Sequence, residues 1–553
     1  MRRHGTVCLI GSIAISAGCS LLMDPEDRQF AATQTSGSGG VGAAQGSAGT
    51  GGVDAAAGGG SGGTAAGGAG DGSDSGVACP VAAEPAYLKP RRIHRSAWFS
   101  AVLHADANTL VAIAPAEADR QPEPGVQNGE FKTNAGTWLD GQITGLGSIH
   151  FFERAGADWE ERTFAVVRGV ERTTAVVPTR VLWADMQSWL IAPAFSAQVL
   201  DHSAVVGLSG DFSTDEFRGS VRLFERGAAG WEEQAAPLEE PELAAGDLFG
   251  QSLALTADAL FVGSPAAELH ARGDDAGGVV ENAGMVHVYR RDATGYHREA
   301  SPKVSPFPNH HAVFGAAIAA SEKWLIVGAP LEDSDAEDSQ NPNKHGTPYP
   351  EGAVYAYPRS ESGLGEPELV SPDKVEFTTF GASLALLGDT LVVGAPAAPG
   401  CGKELGYEQV GQVHVFRHRE RWVHEGCVNG LQQWGLFGFS VALTESSVVV
   451  GAPWDEIAAD TRHPTLLPNK PGSGAVFIFD RDHLDARPCV IKAPNADPDD
   501  SFGVSMTATS SSLFVGAPFE DSIGLGSKAD PKDNGNLDTG ALYVYDFLPR
   551  PAR

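Results

Sequence analysis

The amino-acid sequence predicts an all-β fold: a seven-bladed β-propeller of four-stranded antiparallel blades, preceded by a Gly/Ala/Ser-rich tether. Three marks recur seven times in the same order. The first is a Phe followed by a small residue, the second is a β-branched run ending in a Gly-Ala-Pro-like corner, and the third is a Gly followed by alternating apolar residues. Because the alternation has a period of two and Gly and Pro recur at each corner, the repeat predicts strands and not a helical solenoid.

The first mark places the start of each blade. Its aromatic residues are Phe99, Phe195, Phe249, Phe314, Phe380, Phe437 and Phe502. In the last five units the corner Gly follows at a constant distance, as from Phe314 to Gly328, which fits two strands of about five or six residues joined by a tight turn. The third mark predicts a third strand, and weaker segments such as "GYHREASPKV" and "RWVHEGCV" predict the fourth.

Two regions depart from the regular repeat. The seventh unit ends at "GALYVYDFLPRPAR", which leaves no room for its fourth strand. Because an open ring would leave an unpaired edge, residues 84–92 are predicted to complete that blade and close the ring. The longer interval between units one and two contains "FAVVRGVERTTAVVPTRVLW", which predicts an inserted hairpin.

The N-terminus predicts export. Arg2 and Arg3 precede an apolar stretch too short to span a bilayer, so residues 1–18 are predicted to be a signal peptide. The segment "ISAGCS" resembles the lipobox of bacterial lipoproteins, which implies that Cys19 is lipidated and that Ser20 directs the product to the outer membrane. The alternative is ordinary secretion with Cys19 incidental. Residues 19–78 are predicted to be a disordered tether, and the lipid would be the only membrane contact.

The charge of the chain limits its partners. The formal charge is −31, and loss of Arg2 and Arg3 with the signal peptide makes it −33. Such an acidic surface argues against binding to nucleic acid or to anionic lipid headgroups.

Four cysteines remain after Cys8 and Cys19 are set aside, and four allow three pairings. Export favours disulfides, and the spacing matches no zinc or redox motif. Cys401 is predicted in the loop between strands two and three of blade five, and Cys427 near the end of its strand four. Antiparallel order brings these points to the same face, so Cys401–Cys427 is the preferred pair, with Cys79–Cys489 following by elimination.

The phrases "FGASLALLGDTLVVGAP", "FGFSVALTESSVVVGAP" and "FGVSMTATSSSLFVGAP" resemble FG-GAP repeats, which build the propeller of integrin α-subunits. The resemblance covers roughly residues 84–548 and implies the seven-bladed fold. Such repeats often carry a calcium loop between the first two strands. Here the turns, such as "LGDT" and "TESS", offer at most one carboxylate, so no metal is expected at the family position.

Acidic residues lie instead in the loops that follow the corners. Long loops presented by a rigid scaffold are where binding usually resides, so these loops predict an acidic recognition face. The candidate binding residues are Asp333, Asp335, Asp338, Trp454, Asp455, Glu456, Glu520 and Asp521. Asp333, Asp335 and Asp338 could hold calcium. The favoured interpretation is that these acids are solvated and that their side chains cap the turns of their own loop. No other cofactor is expected.

The sequence predicts a binding protein and not an enzyme. It contains no nucleophile elbow, P-loop or dinucleotide fingerprint. The preferred function is a lipid-anchored module at the outer membrane or cell surface that binds an extracellular or envelope protein or polysaccharide. The alternatives are a glycan hydrolase or lyase with carboxylates dispersed over several blades, and a structural part of an envelope complex.

Overall fold

The computed structural model describes fourteen segments of the chain. These are residues 79–82, 84–91, 97–115, 145–156, 158–168, 195–209, 218–234, 236–270, 278–332, 351–371, 379–401, 409–456, 470–522 and 538–548. The predicted signal peptide, Cys19 and the predicted tether lie outside them. In the part of the chain so described, no helix is long and apolar enough to cross a membrane.

The described residues form seven antiparallel sheets of four or five strands, and each sheet is one blade. The first strands are β2 (Val102–Ala105), β6 (Phe195–Leu200), β10 (Ser252–Leu255), β16 (Ala317–Ala320), β21 (Ser383–Leu387), β25 (Ser440–Leu443) and β29 (Met506–Ala508). The second strands are β3 (Thr109–Ala114), β7 (Ser203–Leu208), β11 (Ala259–Ser264), β17 (Trp324–Ala329), β22 (Thr390–Ala395), β26 (Ser447–Ala452) and β30 (Ser512–Ala517).

The outer half of each blade completes the sheet. The third strands are β4 (Gly145–Ala155), β8 (Ser220–Gly227), β14 (Met285–Asp292), β18 (Ala353–Ser360), β23 (Gln412–His418), β27 (Ala475–Asp480) and β31 (Ala541–Asp546). The fourth strands are β5 (Asp158–Arg168), β9 (Gly230–Glu233), β15 (Gly295–Arg298), β19 (Gly363–Leu364) with β20 (Glu368–Val370), β24 (Trp422–Asn429), β28 (Cys489–Ile491) and β1 (Ala86–Leu88). A small hairpin of β12 (Leu269–His270) and β13 (Val279–Val280), which the sequence did not predict, follows the second strand of blade three.

The predicted fold class is therefore confirmed. The second strand of every blade is buried along its whole length. The core lies between neighbouring blades, since one apolar cluster joins Val449 and Ile478 of blade six to Val515 of blade seven. Six of the predicted Phe residues are almost inaccessible to solvent: Phe99, Phe249, Phe314, Phe380, Phe437 and Phe502. Full burial of such a side chain stabilises the fold by about 1.5–3 kcal/mol.

The corner glycine is required because adjacent blades approach closely there. A Cβ atom on Gly394 of blade five would lie 2.1 Å from the carbonyl oxygen of Gly438 in blade six. On Gly516 of blade seven it would lie 2.3 Å from the carbonyl oxygen of Ser100 in blade one. Only glycine fits such a contact, which explains the recurrence of Gly in the Gly-Ala-Pro phrase.

A serine at or just before the start of the first strand links most blades to the next. Its hydroxyl donates to the carbonyl oxygen of the residue after the next blade's Phe, as from Ser383 to Gly438 at 2.7 Å. The same bond recurs from Ser196 to Gly250, Ser252 to Gly315, Ser440 to Gly503 and Ser505 to Ser100. The small residues of the phrase thus form the interfaces between blades.

Residues near the N-terminus close the ring as predicted. Strand β1 pairs with β31, with Tyr87 opposite Tyr543, and supplies the fourth strand of blade seven. Blade seven then contacts blade one through the bond from Ser505 to Ser100 at 2.5 Å and through the Arg154 side chain, which donates to Ser511 at 2.9 Å. Strand β1 thus covers the edge of β31 that would otherwise be unpaired.

Both predicted disulfides are confirmed. Cys401–Cys427 joins the start of a loop in blade five to strand β24, over a sequence separation of 26 residues. Cys79–Cys489 joins the N-terminal segment to blade six, over a separation of 410 residues.

Two predictions about blades one and two need correction. Ser196 pairs with Gly207 as Ser252 pairs with Gly263, so the position equivalent to Phe249 is residue 193 and not Phe195. Blade two has Pro193-Ala194 where the others carry the Phe phrase, and the nearest Phe was therefore misleading. The start of the predicted inserted hairpin, residues 164–168, instead continues strand β5 of blade one, and its remainder lies outside the described residues.

Candidate binding face

The connections from strand two to strand three leave the ring on one face, which we call the loop face. Because the four strands of a blade alternate in direction, the links from strand four to the next blade reach the same face. Contact between the two kinds of connection is visible at blade six, where the backbone N–H of Trp454 donates to the carbonyl oxygen of Gly435 at 3.3 Å.

The root of each loop is fixed by two backbone hydrogen bonds. At blade seven, Glu520 donates from its backbone N–H to Ala517 and accepts at its carbonyl from Gly540. The same pair of bonds is made by Ala267, Glu332, Ala398 and Asp455. The loops of blades three to seven therefore begin and end at defined points of a rigid scaffold.

Two of the predicted recognition residues have their side chains inside this root. Glu520 and Asp455 are 1% and 2% exposed. Lys89 Nζ lies 2.9 Å from Glu520 Oε2, and Lys492 Nζ lies 3.9 Å from Asp455 Oδ1 and donates to its carbonyl oxygen at 3.0 Å. The expectation that these two carboxylates face a partner is corrected, because they stabilise the loop roots from within.

The Glu520 carboxylate contacts several polar side chains at the root of the blade-seven loop. Besides Lys89, it accepts from the Asn495 side-chain amide at 2.9 Å and from the Ser522 hydroxyl at 3.0 Å. Tyr543 in turn donates its hydroxyl to Asn495 at 2.6 Å. Burial lowers the pKa of the Lys89 ammonium, and the Glu520 carboxylate opposes that shift.

Further acids surround the same root between blades six and seven. Asp500 accepts from the backbone N–H of Asp497 at 2.7 Å, and burial together with nearby Glu520 raises its pKa well above the usual range. Asp521 is half-buried, accepts from the backbone N–H of Asp538 at 2.8 Å, and also has a raised pKa through burial. These carboxylates hold backbone turns, as Asp247 does before blade three by accepting from Ala244.

The remaining predicted residues divide into two groups. Trp454 and Glu456 are half-buried at the loop root of blade six, and the Glu456 backbone N–H donates to the Gln432 side chain at 2.7 Å. Asp333, Asp335 and Asp338 lie outside the described residues. Within the described segments, no group of three or more His, Cys, Asp or Glu side chains is arranged to hold a metal ion.

Sequence reasoning missed the lysines that pair with the root acids. Lys89 and Lys492 each follow the fourth strand directly, one residue after Leu88 and Ile491, which pair with equivalent positions of strand three. Blade three has Ala267 at the root position and Val304 at the lysine position. Acid and lysine occur together in blades six and seven and are both replaced in blade three. Blade four breaks the pattern, with Glu332 at the root and Ser371 at the lysine position, so the sequence carried only a partial signal.

A Ser–His–Glu chain in blade one has the connectivity of a nucleophilic triad. Ser148 Oγ lies 2.6 Å from His150 Nε2, and His150 Nδ1 lies 2.7 Å from Glu161 Oε1. Ser148 and His150 are both 0% exposed, so a substrate does not reach the hydroxyl in this structure. Phe99 packs edge-on against His150, as Phe249 packs against His287 and Phe380 against His414. The histidine position is thus part of the repeated scaffold.

Comparison with known proteins gives no family. No protein-family model matches the chain, and no curated protein matches it at a significant level.

Proposed function

We propose that the chain is an exported lipoprotein whose seven blades are FG-GAP repeats, and that it binds an extracellular or envelope protein or polysaccharide through the loop face without catalysing a reaction. The observation that carries the proposal is the shared geometry of the loop roots. Five loops are held by the same pair of backbone hydrogen bonds at one face of a closed ring. Rigid presentation of variable loops lowers the entropic cost of binding.

The negative charge of the chain favours a partner with complementary groups. The chain has a formal charge of −31, and acidic residues outnumber basic ones in the connections between strands two and three. A partner with basic or hydrogen-bond-donating groups fits this face, whereas nucleic acid would be repelled. Lipidation of Cys19 would place the ring at the outer membrane, and residues 20–78 would separate it from the bilayer.

Loop exchange tests the proposal. Residues 333–350 would be replaced by a Gly/Ser segment of equal length, and the variant compared with the wild type for capture of partners from a solubilised envelope fraction and from purified surface polysaccharide. We expect loss of capture with an unchanged melting temperature, because the replaced residues lie beyond the root at Glu332. The same exchange at the turn 321–323 on the opposite face is the control. Equal capture by all three proteins would contradict the proposal.

A further inference from the structure

We propose that His414 and His424 form a binding site for a divalent transition-metal ion on the outer part of blade five. His414 lies on strand β23 and His424 on the neighbouring strand β24. Their facing nitrogens, His414 Nδ1 and His424 Nε2, are 3.1 Å apart. This site is separate from the loop between strands one and two, and it does not depend on the function proposed for the loop face.

The backbone places the two rings on the same face of the sheet. The register shifts between Val415 and Phe416, so His424 pairs with Phe416 and Cys427 pairs with His414. The His424 ring then packs on both Phe416 and His414, with centroids 5.1 and 5.2 Å away. The bulge therefore sets the separation of the two imidazoles.

The hydrogen bonds around His414 determine which of its ring nitrogens carries the proton. The side-chain amide of Gln412 donates to the Pro399 carbonyl at 2.9 Å, which leaves Gln412 Oε1 as an acceptor. That oxygen lies 2.8 Å from His414 Nε2, so Nε2 carries the proton and Nδ1 presents its lone pair to His424.

This arrangement matches the surroundings of histidine ligands. A metal-bound imidazole usually donates its second N–H to a carbonyl or carboxylate, and Gln412 Oε1 supplies that acceptor. With metal–nitrogen bonds of about 2.0–2.1 Å, two nitrogens 3.1 Å apart subtend an angle of about 100° at the ion. That value lies between square-planar and tetrahedral angles, which Cu²⁺, Ni²⁺ and Zn²⁺ adopt.

The ion can reach the pair from solvent. His414 is buried, whereas His424 is exposed on the outer strand. On binding, the proton of His424 Nε2 moves to Nδ1 of the same ring through solvent, so both ligands stay neutral and no net proton is released. Water molecules would complete the coordination. The order of affinity should be Cu²⁺ above Ni²⁺ and Zn²⁺.

Calorimetric titration of the untagged mature protein with CuCl₂ and ZnCl₂ tests the site. We expect one saturable site in the wild type, with affinity at least tenfold lower in His424→Gln and in His414→Phe. Phe477 occupies the position of His414 in blade six, so His414→Phe should keep the fold. His483→Gln is the matched control, because His483 is an exposed histidine beside Asp480 on the next blade and its loss should leave the affinity unchanged.

Electron paramagnetic resonance of the Cu²⁺ complex gives a second readout. Two coupled imidazole nitrogens are expected in the wild type and fewer in His424→Gln. Unchanged affinity and spectrum in both His414→Phe and His424→Gln, or no saturable binding in the wild type, would overturn the proposal.

Discussion

Lys89 Nζ lies 2.9 Å from Glu520 Oε2, and both side chains are almost fully buried. Lys89 directly follows the strand that closes the ring, and Glu520 forms the root of the last loop. Lys89 also donates to the Ser522 carbonyl at 2.6 Å and to the Thr539 hydroxyl at 2.7 Å, which flank that loop. One buried ion pair therefore joins ring closure to the presentation of a loop.

Replacement of this lysine should destabilise the ring strongly. Lys89→Met leaves the Glu520 carboxylate buried without its cation, and we expect the free energy of unfolding to fall by about 3–5 kcal/mol in urea denaturation. Lys323→Met is the control, because Lys323 forms an exposed pair with Asp389 on the opposite face, and a change of about 0.5 kcal/mol or less is expected. The double variant Lys89→Met/Glu520→Gln should recover part of the loss. Equal stability of Lys89→Met and the wild type would refute the role of the pair.

The two disulfides should differ in their effect on stability. Cys79–Cys489 spans a sequence separation of 410 residues and Cys401–Cys427 one of only 26. A cross-link restricts the unfolded chain more when its loop is longer. We expect Cys79→Ser/Cys489→Ser to lower the free energy of unfolding by about 2–5 kcal/mol, and by more than Cys401→Ser/Cys427→Ser. Guanidinium denaturation under non-reducing conditions measures both, and the reverse order would contradict the prediction.

The corner glycine should tolerate no side chain. Gly394→Ala places a Cβ 2.1 Å from the Gly438 carbonyl oxygen, so blades five and six must separate. A loss of about 3 kcal/mol is expected from thermal or urea unfolding. Gly278→Ala is the matched control, because a Cβ there meets nothing within 4 Å. Similar stability of the two variants would show that the close approach does not constrain the sequence.

Low pH should destabilise the propeller partly through protonation of His287. Neither of its ring nitrogens has a hydrogen-bond partner, and burial followed by the charge of Arg298 lowers its pKa to about 4. Glu240 Oε1 lies 3.6 Å from His287 Nδ1. Because the folded-state pKa lies below the unfolded value of about 6.5, the unfolded chain binds the proton first, and stability is lost as the pH falls from about 6.5 to about 4.

The variant His287→Phe tests this pH dependence. Phe477 fills the equivalent position in blade six, so the substitution fits the scaffold. We expect the free energy of unfolding of the variant to fall less steeply over this pH range, with a difference of up to about 3 kcal/mol at pH 4. Parallel pH profiles for the two proteins would contradict the assignment.

The fold could be predicted because its determinants are local and repeated. The Phe phrase, the corner glycine and the alternating third strand occur within short windows, and a closed ring needs a partner for the edge of β31. The Cys401–Cys427 disulfide followed from the strand order, and Cys79–Cys489 followed by elimination. Phe195 was misassigned because blade two lacks the Phe phrase, so only the pairing of Ser196 with Gly207 reveals its register.

The site was harder to predict because it depends on contacts distant in sequence. In the sequence, Glu520 and Asp455 have the position of surface acids that follow a Gly-Ala-Pro corner. Their burial depends on ion pairs with Lys89 and Lys492, which directly follow fourth strands. Likewise, the approach of His424 to His414 depends on a bulge at Val415 and Phe416 that no residue pattern marks.

Site-specific photo-crosslinking tests the central claim, that the partner binds the loop face, most directly. A photoreactive phenylalanine would be placed at position 431, where Leu431 is 64% exposed in a loop-face link, and at position 323 on the opposite face. Irradiation of intact cells should yield a specific adduct at position 431 and none at position 323. Adducts at position 323 alone, or none at any loop-face position, would contradict the account.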